Sequence, residues 1–169
     1  MLLGQSDFKL QITKGIYIDK TDIIDELSEK IDTATGIVIN RPRRFGKTLM
    51  LSTLDYFFSE KFESSDLFKG LKIGKSPNFR YINKFPVIRL SFKEISTFNS
   101  ENIILEIKKE LALKYDENKE ILYFYLSDIE KDFFSSIIEL RASDEDFCKT
   151  LHILASWHEK YRGKKPIIL

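Results

Sequence analysis

Four cations, a glycine and a hydroxyl crowd into eight residues of this chain: Arg41-Pro42-Arg43-Arg44-Phe45-Gly46-Lys47-Thr48. A run of this kind can cradle a polyphosphate. Successive backbone N–H groups turn inward around the phosphates, a lysine reaches the outer phosphate oxygens, and a Ser or Thr hydroxyl ligates magnesium. Gly46, Lys47 and Thr48 supply the last three of those parts, with Thr48 as the candidate metal ligand. The remaining cofactor-binding candidates are Arg43, Arg44, Phe45 and Leu49. Arg41, Arg43, Arg44 and Lys47 repel one another until a polyanion sits among them, and Arg43 lies mid-loop. Arg41 occupies the place where the general pattern G-x-x-x-x-G-K-[ST] has its first glycine, which is a departure from that pattern.

Such a loop works only if a strand delivers it and a helix leaves it. Ile37, Val38 and Ile39 form a β-branched run after Gly36, which predicts a strand buried on both faces. Leu49, Met50, Leu51, Leu54, Tyr56, Phe57 and Phe58 predict a helix that opens at Lys47-Thr48 and ends near Glu60. The order strand, loop, helix puts free N–H groups and the positive end of the helix dipole at the phosphates.

Around this centre the pattern predicts an extended piece near Ile16-Tyr17-Ile18 and an amphipathic helix from Asp22 to Lys30 that covers the sheet, capped by Thr21 or Asp22. Residues 67–83, with Gly70, Gly74 and Pro77, read as a small hairpin or irregular loop. A second strand is expected over Phe85 to Phe92. Three helices follow: one capped by Ser100 with a stripe from Ile103 to Tyr115, one from Glu120 to Leu140, and one from Ser143 to a stop at Gly163. Lys164 to Leu169 begins another strand.

Several of these segments together resemble the bacterial AAA-ATPase-like proteins. The resemblance rests on Ser6-Asp7-Phe8, Tyr17-Ile18-Asp19-Lys20-Thr21, the loop from Asn40 to Leu49, and Leu54-Asp55-Tyr56-Phe57-Phe58. In that family R-P-R-R-F-G-K-[ST] is the usual Walker A form, so Arg41 agrees with the family. The resemblance covers most of the chain and corresponds to the N-terminal part of the family's architecture. It implies ATP as the nucleotide, with magnesium. Family members continue with an acidic strand motif and a nuclease-like domain, and neither lies within these 169 residues.

The expected fold is therefore a three-layer α/β phosphate-loop NTPase with a mainly parallel sheet, a single domain over residues 1–169, cut off before its later core strands. Nucleotide binding is expected of it, while hydrolysis is left open because the acidic motif is missing. Unpaired strand edges would favour self-association. The alternative is a non-catalytic module that uses the basic loop to hold nucleic acid or a protein partner.

Composition narrows the setting. Lys+Arg 27 against Asp+Glu 26 gives a net charge of +1, so any polyanion contact must be local. A hydrophobic fraction of 43% with 14 Phe and 7 Tyr suffices for a globular core. One cysteine, no signal-peptide pattern and no long apolar run point to a cytoplasmic chain without a membrane partner. Cys148 reads as a core residue beside Phe147, and His158 as packed at the edge of its helix. His152 and His158 are wrongly spaced for one metal, and Glu106-Ile107-Lys108 reads as a salt-bridged helix face.

Overall fold

A computed structural model describes residues 6–31, 33, 36–40, 42, 44–92 and 100–169. The chain divides into two compact units, one up to Val87 and one from Ile88.

The first unit is built on aromatic rings. Helix α1 (Phe8–Lys14) starts where the Asp7 carboxylate accepts the Leu10 N–H, and it lies against α3 (Lys47–Phe58). At that contact the buried Phe8 N–H donates to Ser52 Oγ at 3.0 Å. The Phe8 ring stacks on Phe68 of α4 (Ser65–Phe68) at 4.6 Å and meets Tyr17 edge-on at 5.2 Å. Phe57, Phe58, Leu54, Ile24 and Ile73 complete this core. It secures α3, the helix that follows the basic loop 41–46.

Helix α2 (Asp22–Ser28) forms where its apolar spacing predicts. It packs on two 3₁₀ turns, Lys72–Lys75 and Pro77–Tyr81, and not on a sheet. Asp25 binds them by accepting from Ser76 Oγ and from Asn78 Nδ2. Of the small hairpin or irregular loop expected over 67–83 the second is formed, as these turns, and at Gly74 the chain comes so close to α4 that a Cβ would lie 2.5 Å from the Phe68 carbonyl oxygen. Asn83, at φ 53°, donates to the Tyr56 and Ser59 carbonyls and so ties the segment to the end of α3.

The expected buried strand over Gly36 to Asn40 is not formed. Residues 36–40 carry no regular structure and Val38 is 92% exposed. A strand needs a hydrogen-bonded neighbour, and the sheet among the described residues has two strands only, β1 (Val87–Ile88) and β2 (Ile167–Ile168). Val38→Asp should then leave the thermal melt within about 0.5 kcal/mol of the parent. A collapse of the cooperative transition on that change would show that Val38 is packed in solution.

The strand expected over Phe85 to Phe92 is reduced to β1, preceded by a parallel bridge between Phe85 and Ser59. In the second unit the pairing continues past the strands, with Leu169 N–H donating to the Ile88 carbonyl (3.0 Å) and Leu90 N–H to the Leu169 carbonyl (2.9 Å). That is the slanted pattern of a parallel pair. Helix α5 (Ser100–Glu117) packs on α7 (Asp128–Ile138) and α8 (Asp144–Arg162) around Tyr115, Leu122, Phe134, Ile137, Leu154 and Trp157. No helix among the described residues is long and apolar enough to cross a membrane.

The single helix expected from Glu120 to Leu140 is broken into α6 (Lys119–Leu122), a 3₁₀ turn (Tyr123–Tyr125) and α7. Ser127 and Glu130 cause the break. Ser127 caps α7 in a reciprocal capping box, a geometry that needs extended backbone at Ser127 itself. Glu130 then gathers donors from α8, accepting from Trp157 Nε1 (3.1 Å), Lys160 Nζ (3.0 Å) and Tyr161 OH (2.6 Å). Partial burial pushes this carboxyl up, but the hydrogen bonds from Tyr161, Ser127 and Lys160 outweigh it and hold it at about 2.

Because the folded value lies below the ordinary 4.5, the stabilisation is complete above that pH and is lost as pH falls toward 2. Glu130→Gln should cost about 1–2 kcal/mol at neutral pH, discounted for partial exposure. Acid titration of both proteins, followed by the fluorescence of the single tryptophan, Trp157, should show their stabilities converging near the acid end. A constant gap across that range would mean that the carboxylate charge does not matter.

Candidate functional site

Helix α3 starts on a sharp turn. Gly46, its N-cap, is left-handed at φ 79°, and Arg44 two residues earlier is left-handed at φ 68°. Glycine enters that region freely, but for arginine it costs about 1 kcal/mol. Two such positions in three residues carry the chain through the turn that enters α3.

The first intrahelical bond runs from Met50 N–H to the Gly46 carbonyl at 2.9 Å. The N–H groups of Lys47, Thr48 and Leu49 therefore precede the first intrahelical bond, and Gly46 as N-cap has no side chain to offer them. They stand at the positive end of a 12-residue dipole. Lys47 and Thr48 are exposed, and the Lys47 ammonium rests on the Pro42 carbonyl at 3.4 Å, folded back over the loop. Phe45 is exposed and Leu49 half-buried. Arg43 and Arg41 lie outside the described residues, so the expected contact through Arg43 falls there. Arg44, Phe45, Gly46, Lys47, Thr48 and Leu49 are thus brought together as one turn and the start of one helix.

Beside the loop is a cavity of about 310 Å³. Ile16, Ile18 and Ile23 form one wall, and Phe45, Leu49 and Met50 the other. Tyr17 and Thr53 add two hydroxyls, 3.5 Å apart, with Thr53 Oγ1 donating to the Leu49 carbonyl at 2.9 Å. Composition and spacing gave no sign of this cavity. The available signal was the block Tyr17-Ile18-Asp19-Lys20-Thr21, whose polar members pin the wall.

Asp19 accepts from the Thr21 N–H (2.9 Å), the Thr21 hydroxyl (2.7 Å) and the Lys72 N–H (2.8 Å). Thr21 Oγ1 in turn accepts the Ile73 N–H at 3.1 Å. Burial raises the Asp19 carboxyl, but the hydrogen bonds from Thr21 and Lys72 prevail and hold it below the usual range. The remaining family segments are architectural as well. Asp7 accepts from Tyr56 OH at 3.3 Å, while Phe8 and Phe57 lie in the aromatic core.

The other titratable candidates stand apart from this site. His158 is fully buried, with Nε2 3.0 Å from Asn118 Oδ1, and not at a helix edge. Cys148 is exposed and not in the core, because Phe147 takes the buried position and the next helical residue rotates outward. Glu106 and Lys108 lie on α5, where Lys109 pairs with Glu106 at 2.7 Å and Lys108 with Asp144.

Comparison with known proteins adds the following. An uncharacterized protein in the vnfD 5′ region of Azotobacter chroococcum mcd 1 is 37% identical over 76 residues, covering 45% of this chain and 13% of that protein. The protein translocase subunit SecA of Ruthia magnifica subsp. Calyptogena magnifica is 32% identical over 136 residues, 75% of this chain and 14% of that protein. The chain thus spans about one seventh of the length of either relative. No solved structure matches. The family model described as a predicted AAA-ATPase matches residues 3–169, so the chain belongs to the AAA-ATPase-like family.

Proposed function

We propose that this chain binds ATP with magnesium through the loop 41–48, read as a Walker A loop. The observation that carries the reading is the pair of left-handed residues, Arg44 and Gly46, set directly before the start of α3. Lys47, released from the Pro42 carbonyl, neutralises the β- and γ-phosphates. The N–H groups of Lys47, Thr48 and Leu49 donate to phosphate oxygens, and Arg43 and Arg44 add charge-assisted contacts. The exposed Thr48 hydroxyl on the first turn fits a magnesium ligand. Magnesium would neutralise charge between the outer phosphates.

The broader architecture proposed is the three-layer, mainly parallel phosphate-loop fold, with loop 41–48 in one domain over 1–169. Family membership and the parallel β1–β2 pair support it. Equilibrium titration with a fluorescent ATP analogue tests the function. Binding should require magnesium and be competed by unlabelled ATP. Magnesium-independent binding of an oligonucleotide that falls steeply with salt, without ATP competition, would instead support a basic module for nucleic acid.

A further inference from the structure

We propose that the face formed by the 3₁₀ turn Tyr123–Tyr125 and the first turn of α7 is an interface through which two copies of this chain pair. It lies in the second unit and is independent of the phosphate-loop reading. Phe124 is 86% exposed, Ile129 84% and Tyr125 54%, three large apolar side chains between positions 124 and 129. Single exposed apolar residues are ordinary, but a group of them marks an interaction surface.

The group is held in place from beneath. Leu122 and Leu126 are buried on either side of the turn, which directs Phe124 outward between them. Phe124 meets Tyr125 edge-on at 5.7 Å, and Tyr125 stacks on Tyr161 of α8 at 6.4 Å. Tyr161 in turn donates its hydroxyl to Glu130, which caps α7 together with Ser127 and so fixes the first turn that bears Ile129. A surface ordered before it meets its partner loses little entropy on binding.

Area and charge name the occupant. Three such side chains offer roughly 400 Å² of apolar surface, about half of the roughly 800 Å² that each partner gives to a standard interface, and a little over half of such an interface is apolar. The flanking residues Lys119, Glu120, Asp128, Lys131 and Asp132 carry both signs. Lys119 and Lys131 each lie 5.8 Å from the centre of the Tyr123 ring, Lys131 is also 3.9 Å from Asp128, and the three carboxylates are exposed. A strongly basic or strongly acidic partner would meet like charge on part of this rim. A second copy related by a twofold axis sets lysines opposite carboxylates on both sides.

The test is sedimentation velocity of the intact chain over a concentration series reaching about 100 µM, with circular dichroism as the control for folding. The parent should pass from monomer to dimer within that range. Phe124→Ser/Ile129→Ser should raise the dissociation constant about a hundredfold with the helical signal unchanged, since both side chains are exposed in the single copy. Lys119→Glu/Lys131→Glu and Glu120→Lys/Asp132→Lys keep the apolar group and give the rim one dominant sign. Each should be monomeric alone, and an equimolar mixture of the two should pair again. If the serine variant loses helix, the charge variants decide alone. A parent that stays monomeric throughout would overturn the proposal and leave the face to a different protein. A dimer that persists in the folded serine variant would place the contact elsewhere and overturn it too, as would charge variants that dimerise alone or stay monomeric when mixed.

Discussion

Lys47→Ala should lower the affinity for magnesium ATP by about a hundredfold, the worth of one strong charge-assisted contact to phosphate, and leave the fold intact. Both halves of that expectation follow from where the side chain lies. Lys47 is exposed on the first turn of α3, outside the core, where substitutions cost the fold little, and its ammonium lies 3.4 Å from the Pro42 carbonyl. Its stem packs into neither the aromatic core around Phe57 nor the cavity wall. The same cation placed among three phosphates meets concentrated negative charge, so its removal is felt in the complex. Titration with a fluorescent ATP analogue and a thermal melt on the same samples read the two effects separately. Equal affinity in variant and parent would remove the phosphate-loop assignment. A melt shifted by several degrees would show that Lys47 supports the turn itself.

The site was legible in the sequence to the extent that its determinants are local. Gly46 before Lys47-Thr48, with an apolar helix following, fixes a turn into a helix start whatever lies elsewhere in the chain. Ser143 with Asp146, and Gly163 at φ 63°, mark α8 in the same local way, and both ends were read correctly. The Ser127–Glu130 capping box was equally local, but the apolar density from Leu122 to Phe134 concealed it and two helices were joined into one.

What was not legible depends on partners distant in sequence. The run Ile37-Val38-Ile39 has strand-forming residues, yet a strand exists only with a neighbour, and the described residues provide none beside it. The cavity is likewise non-local: the segment bearing Ile16 and Ile18 is pinned by the Lys72 and Ile73 N–H groups, which reach Asp19 and Thr21 across 53 and 52 residues of sequence. Left-handed backbone at Arg44 has no signature in residue type, since arginine is not a residue that favours it.

Phe57→Ala tests the link between the core of the first unit and the loop at the other end of α3. Phe57 is fully buried and meets Phe58 at 5.0 Å and Phe68 at 5.3 Å, both edge-on, so truncation leaves a cavity between rings that cannot close over it. The expected cost is about 3–5 kcal/mol, a large fraction of the stability of a domain, and a fall in melting temperature of about 10 °C. The groups proposed to bind phosphate are untouched by this change, because Lys47 and Thr48 open the helix that Phe57 nearly closes. ATP affinity should therefore persist at low temperature and vanish on warming together with the helical circular dichroism signal, in contrast to Lys47→Ala, which loses affinity at every temperature with its helices in place. A variant that melts like the parent would mean the aromatic cluster is not the support of α3. Loss of binding while the helical signal remains would mean that the loop's turn is held from the far end of the helix, so that its left-handed geometry depends on packing and not on local sequence alone.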